Sequence, residues 1–255
     1  MEKNHKKIST LANYSFLVSG ILVILLIYFL ISYFGNEFVF PSISSIFLEF
    51  GKFFYSYKEA TYLLFSFLRV ILSVIISFVI SLFLTFLFVL YKPLLNFFKP
   101  ILYIFKVAPL AAITMFLFIS APTYLVPFIV SSMILIPLFL EANITSISNI
   151  NKDILDDLAL LEVNVFIKFF KVFLPMIFPY IIMSLLQGFG LCFKIVVMSE
   201  YLILQDNSLG ILISTYKDSL NTAGLLACIL IIVFYVVVID LVIYLAKKLF
   251  NKKIV

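Results

Sequence analysis

The chain has no tryptophan, one histidine, two cysteines and seven glycines, and only 12% of its 255 residues are charged. Soluble domains carry roughly a quarter charged residues, so a chain this poor in charge falls outside that class. The two cysteines, Cys192 and Cys228, lie inside apolar segments and offer no disulfide framework. The few glycines leave no G-x-x-x-x-G-K-S/T phosphate loop, so ATP is not bound here by that route. His5 sits in a lysine-rich tail, the setting of a solvated residue rather than a metal ligand. No catalytic residue and no metal site are expected. The missing tryptophan, beside abundant Phe, Ile, Tyr, Lys and Asn, resembles the drift of an A+T-rich bacterial genome and carries no mechanism.

What remains is apolar: 64% hydrophobic residues and a mean hydropathy of +1.23. Individual runs reach the ~20 residues that cross a hydrocarbon core. The expected fold class is an all-α integral membrane protein with about six transmembrane helices. A polar tail, residues 1–12, precedes an uncharged run over 13–34. That run is longer than a signal-peptide core and lacks a small-residue cleavage site, so it is expected as a retained first span. Residues 35–60 hold a helix start at Pro41-Ser42, then Ile43, Ile46, Phe47, Phe50 and Phe54 at spacings of three and four. This predicts an amphipathic helix on the outer surface, too charged to span. The core, 61–246, begins with a long span over 61–91 carrying Arg69. Further spans are expected over 101–120, 123–140, 176–198 and 224–246, followed by a basic tail, 247–255.

Basic residues orient such a chain, because lysine and arginine accumulate on the cytoplasmic side. Six spans put Lys3, Lys6, Lys7, Lys92, Lys99, Lys152, Lys168, Lys171, Lys247, Lys248, Lys252 and Lys253 on one side. The other side receives Lys52, Lys58 and Lys217, with Arg69 near its boundary. Both termini and the loop over about 146–175 are therefore expected in the cytoplasm.

That loop breaks the apolar pattern with "DILDDLALLEVNVFIKFFKVFLP", Asp153 to Pro175. Leu155, Leu158 and Leu161 share one helical face, and the phase shifts across Glu162, Val163 and Asn164. Phe166, Phe169, Phe170 and Phe173 then form a second stripe, with Lys168 and Lys171 opposite. Two short helices joined by a kink are expected, with an exposed apolar ridge suited to a groove on a soluble partner. Resting on the lipid interface is the plainer alternative. Pro175 suits the first turn of the following span.

The loop resembles that of the permease subunits of bacterial ABC importers, in the nitrate, sulfonate and taurine branch. Their loop reads E-A-A, three residues, G, nine residues, then I-x-L-P. Leu174-Pro175 anchors the match, Val172 takes the isoleucine place, Glu162 the glycine place, and Asp156-Asp157-Leu158 the E-A-A place. Asp157 and Glu162 depart from the pattern. Glutamate tolerates positive φ poorly, and Asn164, two residues on, is an alternative carrier of that conformation. The resemblance runs over roughly Val39 to Leu249. It includes "VFPSISSIF", "SFLRVILSVIISFVISLFLTFLF" with Arg69 on the family arginine, "KPILYIFKVAPLAAITMFLF" with Lys106 and Pro109, "IPLFLEA" with Glu141, and "FKIVVMSEYLI" with Lys194 and Glu200.

The resemblance implies a permease for a small solute, of the sulfonate, taurine, nitrate or thiamine-precursor class, in the bacterial cytoplasmic (inner) membrane. It implies a separate ATP-binding subunit, which would hold the ATP and magnesium while this chain binds no cofactor. An extracytoplasmic solute-binding protein and a second permease copy are the other implied partners, and the bilayer, not nucleic acid, is the surroundings. ATPase docking would fall to Asp156, Asp157, Leu158, Glu162, Phe166, Phe169, Leu174 and Pro175.

Three charges are candidates for the solute pathway: Lys194, Glu200 and Arg69. A central lysine costs about 2.5–3.5 kcal/mol to insert, which the surrounding Leu, Ile, Val and Phe residues offset. Lys194 either attracts an anionic solute group or snorkels to the interface. Glu200 lies six residues away, on a different helix face, so the two are not expected to pair. Structural roles compete for the others: a cap or inter-subunit contact for Glu200, an interface anchor for Arg69. Glu141 and Asp240 lie near span ends, where exposure to water is the default, and Lys106 lies deeper.

Two other function classes were open to the sequence. One is a secondary transporter, whose mark would be broken helices in matching halves. The other is a membrane prenyltransferase holding magnesium on Asp153, Asp156 and Asp157, though no second acidic loop accompanies them.

Overall fold

The computed structural model describes residues 2–160 and 163–251, and all regular structure among them is helical. In chain order the helices are α1 (Glu2–Phe34), α2 (Ile43–Tyr55), α3 (Tyr57–Leu90), α4 (Lys92–Val107), α5 (Leu110–Ser120) and α6 (Val126–Ser148), the last entered through a 3-10 turn at Thr123–Leu125. There follow α7 (Lys152–Leu160), α8 (Val165–Lys168), a π-helical turn (Phe169–Phe173), α9 (Leu174–Ile203), α10 (Leu209–Asp218) and α11 (Thr222–Asn251). Among the described residues, four stretches are long and apolar enough to cross a membrane: Tyr57–Leu90, Thr123–Ser148, Val165–Ile203 and Thr222–Leu245. The fold is that of an all-α integral membrane protein.

The third expected span is not one helix. Over 101–120 the chain breaks between α4 and α5 with a bend of 100°. Pro109 causes it: a residue before proline is pushed out of the helical region, and Ala108 is extended at φ −62°, ψ 135°. The two helices amount to one span only as a bent pair. A second correction concerns the loop. The expected kink separates α7 from α8, but α8 runs through the π turn directly into α9, so the loop and the span beginning near Met176 are one helical body. Pro175 lacks the N–H of a regular turn, and the widened turn just before it absorbs the defect. Asn164 does not take a left-handed conformation. At φ −56°, ψ 138° it caps α8, its side chain accepting from the Phe166 N–H at 3.1 Å. Leu161 and Glu162 lie outside the described residues.

Helices α3, α6 and α9 form the centre. The inward face of α3 is marked by hydroxyls: Ser66, Ser73, Ser77, Ser81 and Thr85 are all fully buried. Small side chains let helix backbones approach closely where lipid supplies no hydrophobic drive. Asn143 of α6 is inserted there, donating to Ser81 Oγ and Thr85 Oγ1 at 3.2 Å each. Around this seam Val70, Val74, Leu135, Phe139, Phe193 and Ile231 close the apolar core.

Helix α2 begins as the sequence predicts, with Ser42 Oγ accepting from the Ser45 N–H. It buries Ile46 and Phe53, while Phe47 and Phe54 stay exposed. Phe50 and Phe54 meet Phe234 of α11 edge-on, at 6.1 and 6.2 Å. Nearby, burial raises the Tyr216 phenol above its ordinary pKa, and the negative charges of Glu49 and Glu59 add to the effect. The phenol therefore stays protonated.

Candidate functional site

Two regions carry the residues singled out above, at opposite ends of the bundle. The end bearing α7 and α8 is the loop side; the other bears α2, α10 and the first turns of α3.

On the loop side, α7 opens with Asn151 Oδ1 accepting from the Asp153 N–H at 3.2 Å, and Asp153 adds a favourable charge in the first turn. Leu158 of α7 turns inward, at 9% exposure, and the Lys168 ammonium donates to the Leu158 carbonyl at 2.5 Å. Asp156, Asp157 and Leu160 face outward. The phenylalanine stripe divides. Phe166 and Phe170 are exposed, but Phe169 is 2% exposed. Its ring lies 5.2 Å from Phe86 of α3, edge to face, and Phe166 stacks obliquely on the same ring at 4.7 Å. Phe169 is thus the anchor of α8 on α3, not part of an exposed ridge. Leu174 is partly buried and Pro175 exposed.

At the opposite end the structure joins two residues far apart in sequence. Arg69 of α3 donates to Glu200 Oε1 of α9 at 2.8 Å, and Glu200 is completely buried. Ser66 Oγ donates to Glu200 Oε2 at 2.7 Å, accepts from the Leu209 N–H at 2.8 Å, and so ties α10 to the same carboxylate. The Gly210 N–H reaches Glu200 Oε2 at 3.4 Å, and Arg69 reaches the carbonyls of Asp206 and Asn207, also at 3.4 Å. The turn between α9 and α10 carries Leu204 and Asn207 at positive φ, 51° and 49°. Its backbone is held by these side chains.

Lys194 stands apart from this knot. It is exposed on α9 while its neighbours Cys192, Phe193, Ile195, Val196 and Val197 are buried. With Tyr180, Met183, Gln187 and Met198 it forms one open stripe along the helix. No ion pair of Lys194 is found among the described residues. Lys106 and Glu141 pair with each other at 2.5 Å, bridging α4 and α6. Asp240 is exposed.

Residues 77–255 match the family described as the binding-protein-dependent transport system inner membrane component. The chain belongs to this family. As an importer permease it is a transport component, not an enzyme, and neither a secondary transporter nor a prenyltransferase. Among solved structures it is similar to a chain of a bacterial alginate ABC transporter, determined in complex with an alginate pentasaccharide-bound periplasmic protein. The TM-score is 0.60 at 15% identity, over 95% of this chain and 96% of that one. At that identity the likeness concerns the fold of the permease. No curated protein matches it.

Several residues of the permease escaped sequence analysis: Ser66, the Ser81–Thr85–Asn143 contact and the Lys168 tether. The hydroxyl residues were the legible signal, since Ser66, Ser73, Ser77, Ser81 and Thr85 repeat at seven and then four residues, the period of one helix face.

Proposed function

We propose that this permease works in a bacterial cytoplasmic (inner) membrane as the pathway-forming subunit of an ATP-driven importer, with both termini and α7 in the cytoplasm. A separate ATP-binding subunit docks on the 153–175 loop and holds the ATP and magnesium. An extracytoplasmic solute-binding protein delivers the solute, and a second copy of the chain completes the pathway. The observation that carries this is the mounting of α7. It projects Asp156, Asp157 and Leu160 outward, is fixed beneath by Leu158 and Lys168, and precedes a helical body continuous into the buried centre of the bundle. A push on that body would be delivered to α9 without an intervening hinge. The lysines support the orientation: Lys99, Lys152, Lys168 and Lys171 lie on the loop side, against Lys52, Lys58 and Lys217 opposite. The periplasmic protein bound to the alginate transporter supports a delivery partner.

The test is purification of the tagged chain from its native membranes in mild detergent. A protein bearing a phosphate loop is expected in stoichiometric amount, and to be lost with Asp156→Lys/Asp157→Lys or Phe166→Ala while the permease stays monodisperse. Recovery of the intact chain alone, even after crosslinking, refutes the proposal.

Within the same scheme, α9 lines the pathway and Lys194 attracts an anionic group of the solute, in keeping with sulfonates, taurine or nitrate. Its support is an ammonium with no ion pair among the described residues, exposed on an open stripe of α9 between buried neighbours. A charge-assisted hydrogen bond is worth about 1.5–3 kcal/mol. Lys194→Gln is therefore expected to reduce uptake of radiolabelled taurine or nitrate roughly ten-fold or more, with assembly unchanged. Unchanged uptake would assign the lysine to the lipid interface.

A further inference from the structure

The bend at Pro109 gives α4 an unusual position. From Asn96, which shares a cavity with Ser148, to Lys106, which pairs with Glu141, α4 rises about 15 Å while α6 rises about 10 Å. Helix α4 therefore runs obliquely to α6 near the loop-side end of the bundle. Its faces are sorted accordingly. Phe98, Leu102 and Phe105 turn toward the bundle, Lys99, Tyr103 and Lys106 form an exposed strip on one flank of that face, and Phe97, Ile101 and Ile104 are exposed on the other.

That strip is one wall of a cavity of about 570 Å³ whose other wall is α6, with Leu140, Glu141, Ile144 and Thr145. Glu141 fixes Lys106 against the wall at 2.5 Å. Lys99 has neither an ion pair nor a hydrogen bond among the described residues, although it lines the same cavity. The cavity is thus apolar walled, open, and carries one uncompensated positive charge beside an exposed tyrosine.

We infer that this α4–α6 groove binds the phosphate headgroup of an anionic phospholipid, with Lys99 as its counter-ion, Lys106 and Tyr103 at its edge, and the acyl chains lying over Pro100 and Ile104. A basic pocket between helices at the membrane boundary has the chemistry for such a headgroup. The volume is that of a small-molecule site, and the exposed Pro100 on its wall adjoins Ile104, one turn on, at the edge of the exposed apolar side of α4. A free inorganic anion would use the charge and leave that apolar surface unused.

The experiment is native mass spectrometry of the delipidated full-length chain, with whatever subunits accompany it, titrated with phosphatidylglycerol. One phosphatidylglycerol per chain is expected to be retained, phosphatidylcholine is not, and millimolar inorganic phosphate does not displace it. Near a membrane surface each lysine contributes about enough for a five-fold change in affinity. Lys99→Gln should thus bind phosphatidylglycerol roughly five-fold more weakly, and Lys58→Gln at the opposite end should bind it unchanged. Thr145→Phe fills the groove from α6 with every lysine in place, and should lose the lipid even if the lysine variant proves too unstable to measure. Displacement by phosphate alone would make this a soluble-anion site and overturn the lipid assignment. Equal retention of both lipids, equal weakening by Lys58→Gln, or retention unaffected by Thr145→Phe would overturn the site itself.

Discussion

Arg69→Met is expected to cost this permease about 3–5 kcal/mol of stability, the penalty for stranding a buried carboxylate. Glu200 has no exposed surface, and Arg69 is the cation that meets it, at 2.8 Å. An exposed pair would be worth about 0–1 kcal/mol, so the size of the loss separates the two cases. Arg69→Met/Glu200→Gln should recover most of the loss, because the double variant removes the uncompensated charge and keeps a hydrogen-bonding partner for Ser66. Thermal unfolding of the four proteins in one detergent, treated as a double-mutant cycle, reads this directly. A double variant no more stable than Arg69→Met would show that the loss comes instead from the freed carbonyls of Asp206 and Asn207.

Gly210→Ala is expected to be comparably damaging, by a different route. A Cβ at this position would stand 2.3 Å from the Tyr201 nitrogen and 2.4 Å from the Glu200 carbonyl carbon. Both are backbone atoms of α9, so no side chain can rotate away. Helix α10 would have to retreat, breaking the Leu209 bond to Ser66 and the Gly210 bond to Glu200. Overpacking a core typically costs about 1–3 kcal/mol, and the lost hydrogen bonds add to that. Gly20→Ala is the control: nothing lies within 4 Å of its Cβ, and replacing an exposed helical glycine with alanine should be neutral or gain up to about 1 kcal/mol. Equal melting of the two variants would mean that α10 is not held against α9 in solution.

Both predictions rest on the same few atoms around Glu200, and sequence analysis had left those residues separate. Arg69 and Glu200 were both expected as candidates for the solute pathway, with an interface anchor as the alternative for Arg69 and a cap or inter-subunit contact for Glu200. They are 131 residues apart, and no periodicity links one helix to another. The loop was more legible. Its division into two short helices followed from local pattern, whereas Asn164, an expected alternative carrier of positive φ, caps α8 instead. Which phenylalanine faced inward did not follow, because Phe166, Phe169 and Phe170 are equally apolar and only the position of Phe86 on α3 decides among them.

The sequence by itself determined that this is a helical membrane protein, roughly where its helices run, where α2 starts, and which family pattern it resembles. Apolar run length, Ser42 and the spacing around Leu174-Pro175 sufficed, since each acts locally or through composition. Only the tertiary structure decided that Pro109 divides the third span, that α8 and α9 are continuous, that Arg69 closes on Glu200, and that Lys106 pairs with Glu141 while Lys99 has no partner among the described residues. The physical reason lies in the solvent. In water a helix betrays its inner face by its apolar side, but in a bilayer lipid and core are both apolar, so Leu, Ile and Phe do not tell inside from outside. Small and polar residues do, as the serines of α3 show, and which polar groups finally meet is settled by how the helices pack.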